Sequence, residues 1–392
     1  GGGETSPLGD VCHILDSKRK PITKRDRVEG PYPYYGATGV LDHVASYLFD
    51  EALVLIGEDG AKWAAGDRSA FAISGKTWVN NHAHVLRPER SKVLDDWLIY
   101  FLNFTDLSDF VSGMTVPKLN QGRLREIKIP CPPLEEQKRI VAILDEAFEG
   151  LHRARENAVA NLQNARELFP SYLGCVSAAD QEGWRNYTIG ELVEKGVLDK
   201  PLDGNHGETH PKKADFVARG VPFVMASDLI DGLVDQKGCN FISRLQADKL
   251  RKGFAVNGDV LLSHKGTIGR TAMLVTELDY VMLTPQVTYY RVLDKDQLEP
   301  EFLYYSFQGV PFQLEISNAA KDGATRAYIG ITRQLDLTIS MPNISIQRGL
   351  VLRFRDFETM AAGCAASYEA QIKALDALRQ SLLHKAFAGE LT

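Results

Sequence analysis

Two long segments with apolar residues at alternating steps of three and four constrain the fold of this chain more than any other feature. The first segment places apolar or small residues at Ile140, Leu144, Ala147, Leu151, Ala154, Ala158, Asn161, Ala165 and Leu168. The second has Phe354, Phe357, Ala361, Cys364, Tyr368, Gln371, Leu375, Leu378 and Leu382. This spacing predicts two helices, each with a coiled-coil seam along one side. At about 1.5 Å per residue each would be roughly 55 Å long, too long for the core of one compact domain.

The two seams are predicted to pack on each other. Glu135 and Glu136 open the first helix, where the helix dipole favours carboxylates, and Pro170 is expected to stop or kink it. Alanines on the first seam leave room for aromatic residues on the second. The residues predicted at the helical interface are Ile140, Leu144, Leu151, Leu168, Phe357, Tyr368, Leu375, Leu378 and Leu382. The alternative is two unrelated amphipathic helices that pack on separate globular bodies.

The segment before each long helix shows the same order of elements, which predicts an internal repeat. Residues 52–56 and 79–86 read as strands, and residues 32–39 read as a loop punctuated by proline and glycine. The order returns in residues 220–342 at an offset of roughly 205 to 210 residues. The predicted fold is therefore α+β: two similar α/β bodies separated by two long antiparallel coiled-coil helices, with a pseudo-twofold internal repeat.

Composition narrows the class of protein. A chain of 392 residues is long enough for two or three domains with their own cores. Its five cysteines lie far apart without a Cys-x-x-Cys pair, which argues against zinc ribbons and disulfide frameworks. No apolar run approaches a membrane span and no signal sequence is evident, so a cytoplasmic location is expected and a membrane is not. The net charge of -6 argues against an indiscriminate nucleic-acid binder.

Motifs for catalysis by this chain alone are missing. A stand-alone adenine methyltransferase would need an Asn/Asp-Pro-Pro-aromatic loop, and residues 131–134 lack both the polar lead and the aromatic residue. Residues 75–77 resemble the end of a phosphate-binding loop, but Ala70 stands where its first glycine belongs. His82, His84, His206 and His210 lack further ligands at zinc spacing. We therefore expect no catalytic residue, no metal site and no cofactor in this chain.

Loops that combine cations with amides or hydroxyl groups are the candidates for DNA contact. Cations bind phosphates, whereas amides, guanidinium and hydroxyl groups read base edges. The first body offers Lys118, Asn120, Gln121 and Arg123. The second body offers Lys265, Thr267, Arg270, Lys321, Thr325 and Arg326. Each loop taken alone is equally compatible with a plain surface turn.

Several local motifs occur in an order that resembles the specificity subunit of type I restriction-modification enzymes, over essentially the whole chain. These motifs are residues 34–39, 57–60, 116–120, 133–137, 203–207, 266–269 and 382–391. The resemblance implies a first target recognition domain at 1–132, a central conserved helix at 133–176, a second target recognition domain at 177–342 and a distal conserved helix at 343–392. One departure is the sequence of residues 342–345, Pro-Asn-Ile-Ser, where the first repeat has Pro-Pro-Leu-Glu.

The same resemblance implies partners and a division of labour. Two S-adenosylmethionine-dependent methyltransferase subunits and ATP-dependent restriction or translocase subunits would join the chain, so S-adenosylmethionine, ATP and Mg are expected in the partners. The chain itself would bind an asymmetric bipartite site in double-stranded DNA without catalysing a reaction. An alternative from a different class is a helical protein–protein scaffold that does not touch DNA. A third reading, an enzyme in its own right, would require S-adenosylmethionine binding or cleavage by the isolated chain.

Overall fold

A computed structural model describes residues 5–113, 115–178, 183–207, 210–321 and 328–391, without the side chains of residues 178 and 321. The helices are α1 (Leu8–Val11), α2 (Asp95–Phe104), α3 (Gln121–Glu126), α4 (Leu134–Ala178), α5 (Ile189–Glu194), α6 (Arg244–Ala247), α7 (Pro300–Gln308), α8 (Val310–Lys321), α9 (Ile331–Gln334) and α10 (Ile344–Phe387). Among the described residues, no helix is long and apolar enough to cross a membrane.

The strands before α4 are β1 (Thr5–Pro7), β2 (Cys12–Ile14), β3 (Tyr32–Gly36), β4 (Gly39–Val44), β5 (Phe49–Asp50), β6 (Leu53–Gly57), β7 (Ala70–Ile73), β8 (Lys76–Val79), β9 (Ala83–Pro88), β10 (Val111–Ser112), β11 (Lys118–Leu119) and β12 (Lys128–Pro130). The strands after α4 are β13 (Arg185–Thr188), β14 (Leu202–Asp203), β15 (Phe216–Val224), β16 (Leu229–Ile230), β17 (Leu233–Val234), β18 (Asn240–Ile242), β19 (Phe254–Ala255), β20 (Val260–Ser263), β21 (Thr271–Met273), β22 (Val281–Leu283), β23 (Val287–Tyr290) and β24 (Thr338–Met341).

Contacts divide the chain into two compact units. Unit 1 comprises Gly1–Ala160 and Tyr368–Thr392, and unit 2 comprises Asn161–Ser367. Each unit therefore combines one globular body with parts of both long helices. Helix α4 begins one residue after the domain boundary predicted at residue 133, and α10 begins one residue after the boundary predicted at 343.

Two four-stranded sheets form the body of unit 1. One has the order β2-β9-β6-β7, and the other has the order β4-β3-β8-β5 with β3 and β8 parallel. Strand β6 is buried along its whole length, as expected for a central strand with an uninterrupted run of β-branched and aliphatic residues. Its Val54 and Ile56 join Trp97 and Leu98 of α2 in one apolar core.

The body of unit 2 repeats this arrangement with additions at one edge. One sheet has the order β14-β23-β20-β21-β17-β16, and a second has the order β18-β15-β22-β19 with β15 and β22 parallel. Strand β20 is buried throughout, like β6. Its Val260 and Leu262 pack in a core with Phe302 and Leu303 of α7.

Two local expectations from the sequence are wrong. Residues 32–39 were expected to be a loop, but β3 pairs with both β4 and β8, because the aromatic side chain of Tyr34 is buried in the body. Residues 79–86 were expected to be one strand. They instead end β8 and begin β9 with a turn between, where the side chain of Asn80 accepts a hydrogen bond from the backbone N–H of His82.

The long helices pack against each other within each unit. In unit 1, the guanidinium of Arg155 lies 3.0 Å from the carboxylate of Asp376, and Arg139 donates to the carbonyl of Leu391 at 3.1 Å. Contacts between an early residue of α4 and a late residue of α10 show antiparallel packing. In unit 2, the Tyr172 ring of α4 stacks on Phe357 of α10 with centroids 4.4 Å apart.

Pro170 does not stop the first helix, contrary to one of the two outcomes predicted for it. Helix α4 continues for a further two turns to Ala178. A proline inside a helix removes one backbone hydrogen bond. Burial of Phe169 and Leu173 in the core of unit 2 offsets that loss.

The seam of each long helix changes phase partway along. Ile140 and Leu144 are buried, and Leu151, Phe357, Tyr368, Leu375 and Leu382 are half-buried. Leu168 and Leu378 are instead 42% and 49% exposed. Phe169, next to Leu168, and Leu383, next to the predicted Leu382, are buried. The strict predicted repeat therefore misplaces Leu168 and Leu378, because a straight helix has 3.6 rather than 3.5 residues per turn and the seam drifts around it.

Matched hydrogen bonds at the two helix starts confirm the internal repeat. Gln137 accepts from the N–H of Leu94 at 3.0 Å and donates to the carbonyls of Lys92 and Pro132, each at 2.8 Å. Gln347 accepts from the N–H of Glu299 at 3.0 Å and donates to the carbonyls of Gln297 and Pro342 at 3.0 and 2.8 Å. Both glutamines are fully buried. The two bodies are thus similar, each tied to the start of its long helix in the same way.

Candidate nucleic-acid interface

Lys118 and Lys265, from two of the segments predicted to contact DNA, lie near the carboxyl ends of the paired parallel strands in their bodies. In unit 1, the N–H of Asn80 after β8 donates to the carbonyl of Tyr35 in β3 at 3.0 Å. In unit 2, the N–H of Thr284 after β22 donates to the carbonyl of Val224 in β15 at 2.9 Å. Loops that leave such strand ends are held by the sheet and remain accessible to a ligand.

A shared set of backbone hydrogen bonds, here called the strand-end frame, fixes these loops. In unit 1, the N–H of Glu58 donates to the carbonyl of His82 at 2.8 Å, and the N–H of Leu119 donates to the carbonyl of Glu58 at 2.8 Å. In unit 2, the N–H of His264 donates to the carbonyl of Gln286 at 2.9 Å, and the N–H of Ile329 donates to the carbonyl of His264 at 3.0 Å.

A β-bridge completes the frame in each unit and sets the equivalences between them. It joins Asp59 to Lys118 in unit 1 and Lys265 to Tyr328 in unit 2. Glu58 therefore corresponds to His264, Asp59 to Lys265 and His82 to Gln286. The frame presents different side chains at the same backbone positions.

A buried charge network lies beneath the unit 1 frame. The ring of His84 is fully buried, with Nδ1 2.6 Å from Asp16 and Nε2 2.6 Å from the carbonyl of Leu119. Glu58 pairs with Arg19 and, at 2.8 Å, with Lys118. Burial alone would raise the pKa of Asp16, but hydrogen bonds from His84 and from the N–H of Val85 outweigh it and hold that pKa below its ordinary value.

This network also contains a geometric candidate for a metal site. Among the described residues, Asp16, Glu58 and His84 offer ligand atoms within 4.8 Å of one another. Both carboxylates, however, already face the cationic side chain of Arg19, and Glu58 also faces Lys118. The charge of the acidic groups is thus balanced within the protein, so the arrangement fits a structural ion-pair network better than a cation site.

The predicted contact residues of unit 1 lie around this network with much of their hydrogen-bonding capacity in use. Lys118 is bound to Glu58, which raises the pKa of Lys118. Asn120 donates to the hydroxyl of Ser112 at 2.8 Å, and Gln121 donates to Asp16 at 2.9 Å. Arg123 pairs with Glu126 at 2.7 Å and donates to the carbonyl of Asp109. The structure therefore brings Lys118 and Gln121 together at this network. Arg123, within α3, instead contacts Glu126 and Asp109.

The network beneath the unit 2 frame has different members. The carboxylate of Asp203 is buried and pairs with Lys252 and, at 2.6 Å, with His206. Burial alone would raise the pKa of Asp203, but these two hydrogen bonds hold it below the ordinary value. His264 is fully buried, and burial lowers its pKa. Its Nδ1 lies 2.9 Å from the carbonyl of Ile329.

The predicted contact residues of unit 2 fall in different places. Lys265 and Thr267 are exposed after β20, and the Lys265 ammonium lies 5.9 Å from the centroid of the Tyr328 ring. Arg270 donates to the carbonyl of Ala226 at 3.3 Å and lines a cavity with Gln313, while Lys265 lines another. The side chain of Lys321 and the whole of Thr325 and Arg326 lie outside the described residues.

Sequence reasoning missed several residues of the strand-end frames and of the charge network beneath the unit 1 frame. Asp16, Arg19, Glu58 and His84 meet only because β2, β6 and β9 are neighbours in one sheet. The one signal was the pair of histidines at 82 and 84, which spacing alone did not connect with carboxylates far along the chain. Gln286 was missed because no local motif marks it.

Comparisons with known proteins agree with this architecture. The family described as type I restriction modification DNA specificity domain matches residues 2–161. A Haemophilus influenzae protein named as type I restriction enzyme specificity subunit S.HindORF215P is 26% identical, covering 97% of this chain and 95% of that protein. The Escherichia coli type I restriction enzyme EcoKI specificity subunit is 23% identical, covering 87% of this chain and 75% of that protein.

Two solved structures share the fold. A chain from a study of complex assembly and conformational transition of the type I R-M system aligns with a TM-score of 0.76 at 20% identity, covering 100% of this chain and 98% of that chain. The HsdS subunit from Thermoanaerobacter tengcongensis aligns with a TM-score of 0.60 at 20% identity, covering 100% of this chain and 97% of that chain. With its repeated bodies and paired long helices, this chain is similar over nearly its whole length to type I restriction-modification specificity subunits, and its residues 2–161 match their DNA specificity domain.

Proposed function

We propose that this chain is the DNA sequence-recognition subunit of a type I restriction-modification system. It binds an asymmetric bipartite duplex site and directs methyltransferase and restriction subunits to that site. It contributes recognition and positioning, while the chemistry belongs to its partners.

The strand-end frame is the observation that carries this proposal. The same backbone hydrogen bonds occur in both units, but the frame presents Asp59 and His82 in unit 1 and Lys265 and Gln286 in unit 2. Base edges in the major groove are distinguished by their pattern of donors and acceptors. Two similar bodies with different side chains at equivalent positions are therefore suited to two different half-sites.

Contacts with DNA are proposed for cationic, amide and hydroxyl side chains of both units. They are Lys118, Asn120, Gln121 and Arg123 in unit 1, and Lys265, Thr267, Arg270, Lys321, Thr325 and Arg326 in unit 2. The cations would bind phosphates, which fix the position of each body, or acceptors on base edges, and the amides and hydroxyls would face base edges. This division allows a chain of net charge -6 to bind DNA through local basic surfaces.

The partners are proposed from the resemblance to type I restriction-modification specificity subunits. Two methyltransferase subunits and restriction or translocase subunits would assemble with the chain in the cytoplasm, with S-adenosylmethionine, ATP and Mg bound by those partners. The exposed sides of α4 and α10 are the proposed docking surfaces. They differ: Ile346 and Leu352 are 45% and 59% exposed near the start of α10, where α4 has Glu136 and Ala142 at the same offset.

Duplex binding by the assembled methyltransferase complex tests this function against the scaffold alternative. Affinity for random duplex DNA is measured by fluorescence anisotropy between about 50 and 200 mM salt, where a protein that neutralises several phosphates loses affinity steeply. Recognition predicts binding with a strong salt dependence. The absence of binding by an intact complex would contradict the proposal and favour a scaffold.

A further inference from the structure

We infer that Lys265 and Gln286 of unit 2 form a base-reading pair for the major-groove edge of a guanine. This inference rests on the proposed function and assigns one base position within it. The two side chains contact the base together, because the strand-end frame holds them beside each other.

The backbone places the two side chains at one opening. Residue 264, next to Lys265, donates its N–H to the carbonyl of Gln286 at 2.9 Å. Both side chains line a half-open cavity of about 330 Å³ at the carboxyl ends of β15 and β22. The wall includes Phe223, which is 2% exposed, and the cavity is therefore built on the core of the unit.

The polar groups of this cavity have capacity for a ligand. Within the described residues, Lys265 has no ion pair, and its ammonium lies 5.9 Å from the centroid of the Tyr328 ring. The side-chain oxygen of Gln286 is 3.5 Å from the N–H of Ala226, a weak contact that leaves the amide NH₂ as a donor. Thr284 lines the same cavity, is 3% exposed, and its hydroxyl has no hydrogen-bond partner among the described residues.

Two neighbouring donors favour guanine among the four bases. Guanine presents two acceptors, N7 and O6, on its major-groove edge, whereas adenine presents one acceptor beside an amino donor. Adenine would need the Gln286 oxygen to accept from its amino group, and that oxygen already faces the N–H of Ala226. The ammonium of Lys265 and the amide NH₂ of Gln286 together match the guanine pattern.

Unit 1 shows what the same frame does with different residues. Its equivalent positions carry Asp59 and His82, which contact each other. A carboxylate in place of the Lys265 ammonium offers acceptors and no donor, and carboxylates accept from the cytosine amino group. The guanine assignment therefore applies to unit 2 alone.

Methylation mapping of variants tests the pair. The chain is co-expressed with its methyltransferase subunit, and host DNA is sequenced for methyladenine with wild type, Gln286→Glu and Lys265→Met. Exchange of the Gln286 donor for an acceptor, or removal of the Lys265 donor, is expected to lower discrimination for guanine at one position of one half-site by about tenfold or more. The other half-site is expected to stay unchanged. Lys237→Ala, an exposed lysine that does not line the cavity, is the matched control and should retain the wild-type motif.

The outcomes separate this inference from the proposed function. A wild-type split motif that persists at full level in both variants overturns the base-reading pair and leaves the proposed function intact. A uniform fall in methylation without a change of motif also overturns it, because that is the behaviour of a phosphate contact. Loss of the complex in one variant is detected by co-purification, and Gln286→Met, which removes the donor without adding charge, then provides the test. Absence of any split motif with wild type overturns both proposals.

Discussion

Units 1 and 2 present one backbone frame with two different charge arrangements. In unit 1, Glu58 at the frame is an anion compensated by Arg19 and Lys118. In the described part of unit 2, the equivalent His264 is buried and its nearest anion is Asp203, with His264 Nε2 3.9 Å from that carboxylate, which itself pairs with Lys252. The comparison teaches that the geometry of the loops is set by main-chain hydrogen bonds and by the sheet. The side chains at the frame are then free to differ between the bodies.

The strongest test of the shared geometry uses the matched glutamines. Gln137→Ala and Gln347→Ala each leave one N–H and two carbonyls without their partner. We expect each to lower the free energy of unfolding of its own unit by about 3 kcal/mol, since unsatisfied buried groups are costly. Denaturant unfolding, monitored by hydrogen exchange in each unit, measures the free energy of unfolding of that unit.

Similar costs in the two units support a true structural repeat. A cost in one unit that exceeds the other by more than about 2 kcal/mol would break the comparison, because equal hydrogen bonds would then have unequal roles. Gln163→Ala, on the exposed side of α4, is a control that should have little effect.

The second test compares two leucines of the predicted seam. Leu151 is half-buried and lines a cavity in unit 1 with Leu375, whereas Leu378 is 49% exposed. Leu151→Asp should destabilise unit 1 by about 2 kcal/mol through a poorly solvated charge, and Leu378→Asp should change stability by less than about 0.5 kcal/mol. Thermal unfolding of the two variants provides the comparison.

Equal effects of these two substitutions would contradict the phase change in α10. They would restore the strict heptad register that the sequence predicted.

The third test compares the two lysines of the frame. Lys265 has no ion pair among the described residues, so Lys265→Ala should weaken binding of the assembled complex to its methylated-site duplex by about tenfold. Lys118 is already paired with Glu58 at 2.8 Å, so Lys118→Ala should weaken it by less than about threefold. Titrations at one fixed salt concentration measure both. A larger effect of Lys118→Ala than of Lys265→Ala would contradict the assignment of Lys265 as the lysine that is available to DNA.

The smallest expected effect is a pH dependence specific to unit 2. Burial lowers the pKa of His264, so the folded state binds a proton less readily than the unfolded chain. The resulting cost is absent above the unfolded value of about 6.5 and grows as the pH falls below it. We expect His264→Gln to reduce the acid sensitivity of unit 2 by less than about 1 kcal/mol.

The stability of unit 2 is measured by hydrogen exchange at β20 in wild type and variant between about pH 5 and pH 7.5. This range includes the pKa of an unfolded histidine. An identical pH dependence in the two proteins would exclude His264 as its source.

The sequence predicted the large-scale organisation because periodicity and repetition are local signals. The spacing from Ile140 to Ala158 identified the first seam, and Glu135 and Glu136 marked the start of its helix. Phase changes at Phe169 and Leu383 were missed because they depend on which side of each helix the bodies cover. The contacts of Asp16, Glu58 and His84 were missed because sheet neighbours are far apart in sequence. Lys118 was expected in a loop, but it lies in the short strand β11, and its ion pair with Glu58 depends on the sheet that contains β6.

The central claim is that two similar bodies on one chain read two different DNA half-sites, and modification mapping tests it most directly. The wild-type chain is co-expressed with its methyltransferase subunit, and the host DNA is sequenced for methyladenine. We predict a split, asymmetric motif that appears only when this chain is present. No new methylation, with the assembled complex recovered from the same cells, would contradict the claim.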